Sequence, residues 1–250
     1  MGELAIIENK YPALAGAKAE MSAADLLLAE EMDALNGVTL KFPRIKLGAS
    51  GNGKLDIPDP VNPDEERSVK EFTGVIVCAT ASRAMWSEGS TVPDCASRDA
   101  KYSLNGASCA NCKHCKFSRD NDGNLVRPAC KESRNLYLIT EEHTMPLHFI
   151  IPPSGIKEYN NFASGLLSSK KTQLGTIVKI TVSVETNKAN QKFNKAKFES
   201  VGRVDDEYLP KLIDTRNQIM NVISSMTIED MADDSGAVEL RPIEDDSMPF

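Results

Sequence analysis

The side chains best equipped for chemistry are six cysteines: Cys78, Cys95, Cys109, Cys112, Cys115 and Cys130. A Cys-x-x-Cys pair lets two thiolates reach one ion from a single tight turn, and tetrahedral Zn²⁺ takes four such ligands. Here Cys109-Ala110-Asn111-Cys112 and Cys112-Lys113-His114-Cys115 overlap, so two turns compete for one register, and Cys95 and Cys130 supply the other pair. A catalytic zinc keeps a water and favours histidine. His114 is the only histidine among these cysteines and reads as solvent-facing. A redox pair needs a strand–turn–helix setting that this stretch lacks. The expectation is one structural zinc per chain, with Lys101, Lys113, Lys116, Arg127 and Lys131 offsetting the double negative charge of four thiolates. Cys78, in an apolar strand, reads as a small hydrophobe. His143 and His148 read as surface or core residues.

A second chemistry comes from aromatics set among cations. Single-stranded nucleic acid needs cations along its phosphates and flat side chains under its bases. Phe42 lies between Lys41 and Arg44, Trp86 follows Arg83, Tyr102 follows Lys101, and Phe117 follows Lys116. The segment 188–198 adds Lys188, Lys192, Phe193, Lys195, Lys197 and Phe198. On a strand, Phe193, Lys195 and Lys197 share one face, with Lys192 and Phe198 on the other. The plain alternative is a core ring beside a solvated lysine; Trp86, alone in a polar stretch, is the best candidate platform.

The overall charge of −7 argues against such a partner, but it is an average. Residues 1–40 net −5, residues 41–203 net +7 and residues 204–250 net −9, so a basic body lies between acidic ends. Hydrophobic residues make 41% and charged residues 26% of the 250, which excludes wholesale disorder and fibrous classes. No apolar run approaches the ~20 residues of a membrane span. No secretory leader is evident, so a cytoplasmic location is expected, that of a bacterial host if the protein is phage-encoded.

The elements that must carry these groups follow from periodicity. Residues 1–36 read as a loose arm and a helix from Ser22. A strand covers 38–47, a long loop 48–66, and the best buried strand Phe72–Thr80. Residues 83–133 form a cysteine-rich insertion between the second and third strands. Strands return at 136–140 and 145–151. A helix opened by Pro152-Pro153-Ser154 then places Ile156, Tyr159, Phe162, Ala163, Leu166 and Leu167 on one face. Strands 175–185 and 191–203, joined by a turn, precede a helix at about 204–226. The rest, 227–250, reads as a disordered acidic tail. Without the insertion, this string is that of an OB-fold, a mainly β barrel with its helix between the third and fourth strands.

The tail ends Asp245-Asp246-Ser247-Met248-Pro249-Phe250, an acidic run closed by an apolar tip that suits a basic-rimmed pocket on a partner. This ending resembles the C-terminal tip of bacterial single-stranded DNA-binding proteins, with Ser247 and Met248 standing where Asp and Ile are usual. Residues 37–203 carry a second resemblance. Phe72-Thr73-Gly74-Val75-Ile76-Val77, Trp86, Pro93-Asp94-Cys95-Ala96-Ser97-Arg98-Asp99, Cys109-x-x-Cys112, Ala129-Cys130-Lys131, Arg134-Asn135-Leu136-Tyr137-Leu138 and Pro152-Pro153-Ser154 are similar to a family of phage and prophage proteins. Those combine an OB-like body with a cysteine-rich insertion and are taken to bind single-stranded DNA. The resemblance implies Cys95, Cys109, Cys112 and Cys130 as metal ligands, with Cys115 the alternative.

The expectation is a non-enzymatic protein that coats single-stranded DNA in phage-type replication, recombination or repair. Its tail (Asp245, Asp246, Met248, Pro249, Phe250) would recruit replication or recombination proteins, and a homo-oligomer is compatible with this reading. Rivals are a zinc-containing transcription regulator, a strand-annealing protein, and a nuclease or primase using Asp56, Asp59 and Asp64, which look more like turn formers.

Overall fold

The structure, a computed structural model, describes residues 41–62, 64–187 and 189–234. It is mainly β. In chain order the strands are β1 (Arg44–Leu47), β2 (Leu55–Pro58), β3 (Glu66–Val69), β4 (Glu71–Met85), β5 (Cys95–Ser97), β6 (Ser118–Arg119), β7 (Leu125–Val126), β8 (Lys131–Thr140) and β9 (Leu147–Ile151). Helix α1 (Ile156–Ser168) separates these from β10 (Thr176–Thr186) and β11 (Lys192–Arg203). Helices α2 (Leu209–Ser225) and α3 (Ile228–Asp234) close the described chain. One curled sheet runs β11-β10-β4-β8-β9-β1-β2-β3, with β5 on the far end of β4 and β6–β7 a separate ribbon. All its pairings are antiparallel except β1 with β9.

The apolar run in β4 is nearly continuous because both faces of the sheet are covered. Ile76, Leu136, Leu138, Phe149 and Ile180 point to an inner core shared with Tyr159, Phe162 and Ala163 of α1. Val75, Val77, Tyr137 and Ile139 point outward, to Leu212, Ile219 and Ile223 of α2. A bulge between Ile76 and Cys78 turns Val77 and Cys78 to the same outer face and bends the strand. Gly74 permits the close passage of β8, since a β-carbon there would lie 2.7 Å from the Ile139 carbonyl oxygen.

Several expectations change. The stretch 48–66 is not one loop: it contains the four-residue strand β2, from which Leu55 and Ile57 point into the core, and the approach to β3. The insertion therefore follows four strands and lies between β4 and β8, not between the second and third. Leu167 is 70% exposed, because the α1 stripe is the narrower set Tyr159, Phe162, Ala163 and Leu166. Beyond Met226 the chain forms α3, started by a reciprocal cap: Asp230 Oδ2 accepts the Thr227 N–H at 2.7 Å, and Thr227 Oγ1 accepts the Asp230 N–H at 3.3 Å. The arm and helix of 1–36, Lys188, and the tail tip with Asp245, Asp246, Met248, Pro249 and Phe250 lie outside the described residues. No described helix is long and apolar enough to cross a membrane.

Candidate nucleic-acid groove and thiol cluster

The insertion is organised by local hydrogen bonds more than by a core. Asp99 Oδ1 accepts the backbone N–H of Lys101 at 2.8 Å and of Tyr102 at 3.0 Å, an Asx turn that Ala100 completes at φ 58°. Those two donors, Tyr102 first, hold the Asp99 carboxyl below its ordinary range. Ser97 Oγ donates to the Tyr102 carbonyl at 2.6 Å, and Cys109 N–H donates to the Lys101 carbonyl at 2.8 Å. Fixed on both sides, Lys101 and Tyr102 turn outward, the Tyr102 ring 60% exposed. Arg98 anchors the insertion to the body by donating to the Ser224 carbonyl at the end of α2.

Beside this turn opens a cavity of about 460 Å³ lined by Arg83, Lys101, Tyr102, Cys109, Cys115 and Lys116. Four residues singled out from sequence, Arg83, Lys101, Tyr102 and Lys116, thus meet at one groove. Arg83 is the least available of them. It pairs with Glu132, its cross-strand neighbour on β8, and Glu132 also takes Arg134 at 2.5 Å.

The other predicted contacts are dispersed. Lys195, only 15% exposed, reaches Glu185 at 3.2 Å and Glu158 at 3.4 Å, and Lys197 reaches Glu158 at 3.0 Å. These lysines fasten β11 to α1 and to its hairpin partner. Phe193 and Trp86 are half-buried, and Phe42 packs edge-on against Tyr137. Arg44 sits half-buried on β1, opposite His148 of β9, while Lys41, Lys113 and Lys192 are exposed. Phe117 is exposed at the start of the β6–β7 ribbon.

The thiols outside the apolar core influence one another. Burial raises Cys95 above its ordinary pKa, helped by Cys109, Cys112 and Cys115. Burial also raises Cys109, and Cys115 contributes there too. Cys130 is pushed up to about 12 by burial and by its hydrogen bond with Cys115. Among the described residues, no group of three or more His, Cys, Asp or Glu side chains is arranged as a metal-ligand set. Five neighbouring thiols supply the donor chemistry of tetrahedral zinc, without its ligand geometry.

The remaining candidates have structural partners. Cys78 is buried, its thiol raised to about 11 by desolvation, with Sγ 3.3 Å from Met220 Sδ. His114 is exposed; His143 and His148 are buried. Asp59 caps its own turn through the N–H groups of Val61 and Asn62, and Asp56 accepts from Ser68. Sequence reading missed Ser97, Arg98 and Asp99 as the groove's supports, though Asp99 two residues before Lys101 is an Asx-turn signature.

Compared with protein-family models, with curated proteins and with solved structures, the chain matches none.

Proposed function

We propose that this protein binds single-stranded DNA without strong sequence preference and takes no catalytic role. The observation that carries the reading is the convergence of Lys101, Lys116, Arg83 and the exposed Tyr102 ring on one open groove. Cations along the backbone and a flat surface beneath a base are what a single strand requires, and such binding tolerates any sequence. A basic body between acidic ends supports the same partner.

An OB-like body fits the sheet. Strands β4, β8 and β9 form an antiparallel run, α1 follows β9, and the β10–β11 hairpin returns to the other side of β4. On this reading the insertion lies between the first and second barrel strands, and one zinc ion held by its thiols would order it. The acidic tip would recruit replication or recombination proteins, in phage-type DNA metabolism in a bacterial cytoplasm.

The decisive measurement is a salt titration of binding to an unstructured oligonucleotide beside the matching duplex. Preference for the single strand, with affinity falling linearly in log[salt], is expected. Equal or tighter binding to duplex, with base preference, would favour the transcription-regulator alternative.

A further inference from the structure

Among the described residues, two aromatic side chains are exposed, Tyr102 at 60% and Phe117 at 58%. Each follows a lysine, Lys101 and Lys116, and both lysines line the groove. Tyr102 lines it too, whereas Phe117 does not. Lys116 is extended, at φ −117° and ψ 151°, so the next side chain turns to the other side of the chain. Lys116 therefore stands on the rim of the groove, and Phe117 opens the surface beyond it.

That surface is the β6–β7 ribbon. Ser118 pairs with Val126 and Arg119 with Leu125. Continued by one step, the register sets Phe117 opposite Arg127, so Phe117, Arg119, Leu125 and Arg127 share one face. Every residue from Lys116 to Arg127 is exposed, Leu125 at 49%. A two-stranded ribbon is marginal on its own, and here a turn fastens it in place of a core. Asp120 Oδ1 accepts the N–H groups of Asn124 at 2.8 Å and Asp122 at 2.9 Å, and Gly123 reverses the chain at φ 85°. Arg119 Nη1 donates to the Gly123 carbonyl at 2.6 Å. A ring and an aliphatic side chain are thereby held in solvent beside two guanidinium groups. Charge varies along the ribbon: Asp120 and Asp122 make its tip anionic, while Lys116 and Arg127 make its base cationic. A polyanion is attracted to the base and repelled from the tip.

We propose that the base of this ribbon is a second station for the single strand. The strand leaves the groove across Lys116, stacks a base on Phe117 and sets its phosphates against Arg127 and Arg119. The inference rests on the groove reading and extends it: Tyr102 supplies one ring, while an OB-like body engages about 4–16 nucleotides.

The test titrates the full chain with oligothymidylates of increasing length at fixed salt. The affinity of the parent is expected to rise in two steps, as the strand first fills the groove and then reaches the ribbon. Phe117→Ser should remove the second step, a loss of roughly five- to 150-fold on long oligomers, and leave the shortest binding oligomer unaffected. Phe117→Trp should retain the step, and Tyr102→Leu should weaken both lengths. Arg127→Gln should lower the salt slope by about 0.7 on long oligomers only. Unchanged long-oligomer affinity in Phe117→Ser, or equal losses at both lengths, overturns the second station. A change of oligomeric state in Phe117→Ser without nucleic acid also overturns it, since the face would then belong to a second copy of this chain. Failure of the parent to bind any oligomer overturns the groove and the ribbon together, so the two failures are distinct.

Discussion

Asn194, near the start of β11, accepts the backbone N–H of Gly53 through Oδ1 at 3.0 Å, joining the edge of the sheet to the β1–β2 loop. Its Nδ2 donates toward the carbonyls of Gly48 at 2.9 Å and Ala49 at 3.0 Å, and toward Asn52 Oδ1 at 2.9 Å. Gly51, at φ 77°, lets the loop lie flat there, since a β-carbon would meet Lys192 Cβ at 2.8 Å. One buried amide thus joins the β11 edge of the sheet to the β1–β2 loop, with no strand pairing between the two among the described residues. Asn194→Ala strands several buried groups and should cost about 2–3 kcal/mol in urea unfolding. Asn194→Asp keeps the acceptor for Gly53 but sets an oxygen against three oxygens, so it should destabilise at least as much. An Asp variant as stable as the parent would show that the amide donors contribute nothing.

The groove makes a prediction in two currencies. Each phosphate contact adds roughly 0.7 to the salt slope for a single strand. Lys101→Ala and Lys116→Ala should each weaken oligonucleotide binding and flatten the slope by about that amount. Tyr102→Leu should weaken binding by about 1–3 kcal/mol with the slope unchanged, because stacking releases no counterions. Lys197→Ala, whose ammonium is engaged by Glu158 and Glu185, should change affinity far less. A lysine ranking with Lys197 first would relocate the interface to the β10–β11 hairpin.

The long strands were legible because apolar runs and alternation survive without context: β9, β10, β11 and both long helices fall close to where periodicity places them, while β4 runs on to Met85 and β8 starts at Lys131, beyond the apolar runs 72–80 and 136–140 and into the stretch read as insertion. Strands β2 and β3 were not, since they are four residues each, with Pro58 and Glu66 at their ends, and are held by cross-strand pairing and by the burial of Leu55 and Ile57 in a core that the local sequence does not reveal. The burial of Lys195 was equally hidden. Its partner Glu158 comes from α1, thirty-seven positions away, and alternation on a strand says which face a lysine takes but not what covers that face. Lys101 and Tyr102 were readable as a cation–aromatic pair; that Arg83 and Lys116 join them depends on the folding of the insertion.

His143 is a local pin between the β8–β9 turn and β2. Its Nε2 lies 3.0 Å from the Pro58 carbonyl, which can only accept, so the proton sits on Nε2, and in the neutral ring Nδ1 accepts the Thr140 hydroxyl at 2.7 Å. His143→Leu fills the space but leaves both groups unpartnered, and a loss of about 1–3 kcal/mol is expected. His143→Gln, able to donate to Pro58 from its amide, should recover part of it. Denaturant midpoints for the three proteins decide the matter; a Leu variant equal to the parent would remove the pin.

The Glu158 carboxylate gives the fold a pH dependence with a definite sign. A hydrogen bond from Lys197 lowers its pKa first, reinforced by the charge of that lysine and by Lys195. A carboxyl lowered by folding stabilises the native state above its ordinary value near 4.5, and the contribution disappears as pH falls through the lowered value. Glu158→Gln should therefore cost about 0.5–1 kcal/mol at pH 7, a modest figure because the pairs are partly solvated. Parent and variant should converge once the carboxyl is protonated in both states. Thermal unfolding of the two proteins at pH 7 and near pH 3 reads this directly. A difference that persists undiminished into acid would mean that Glu158 acts by packing against β11 and not by its charge.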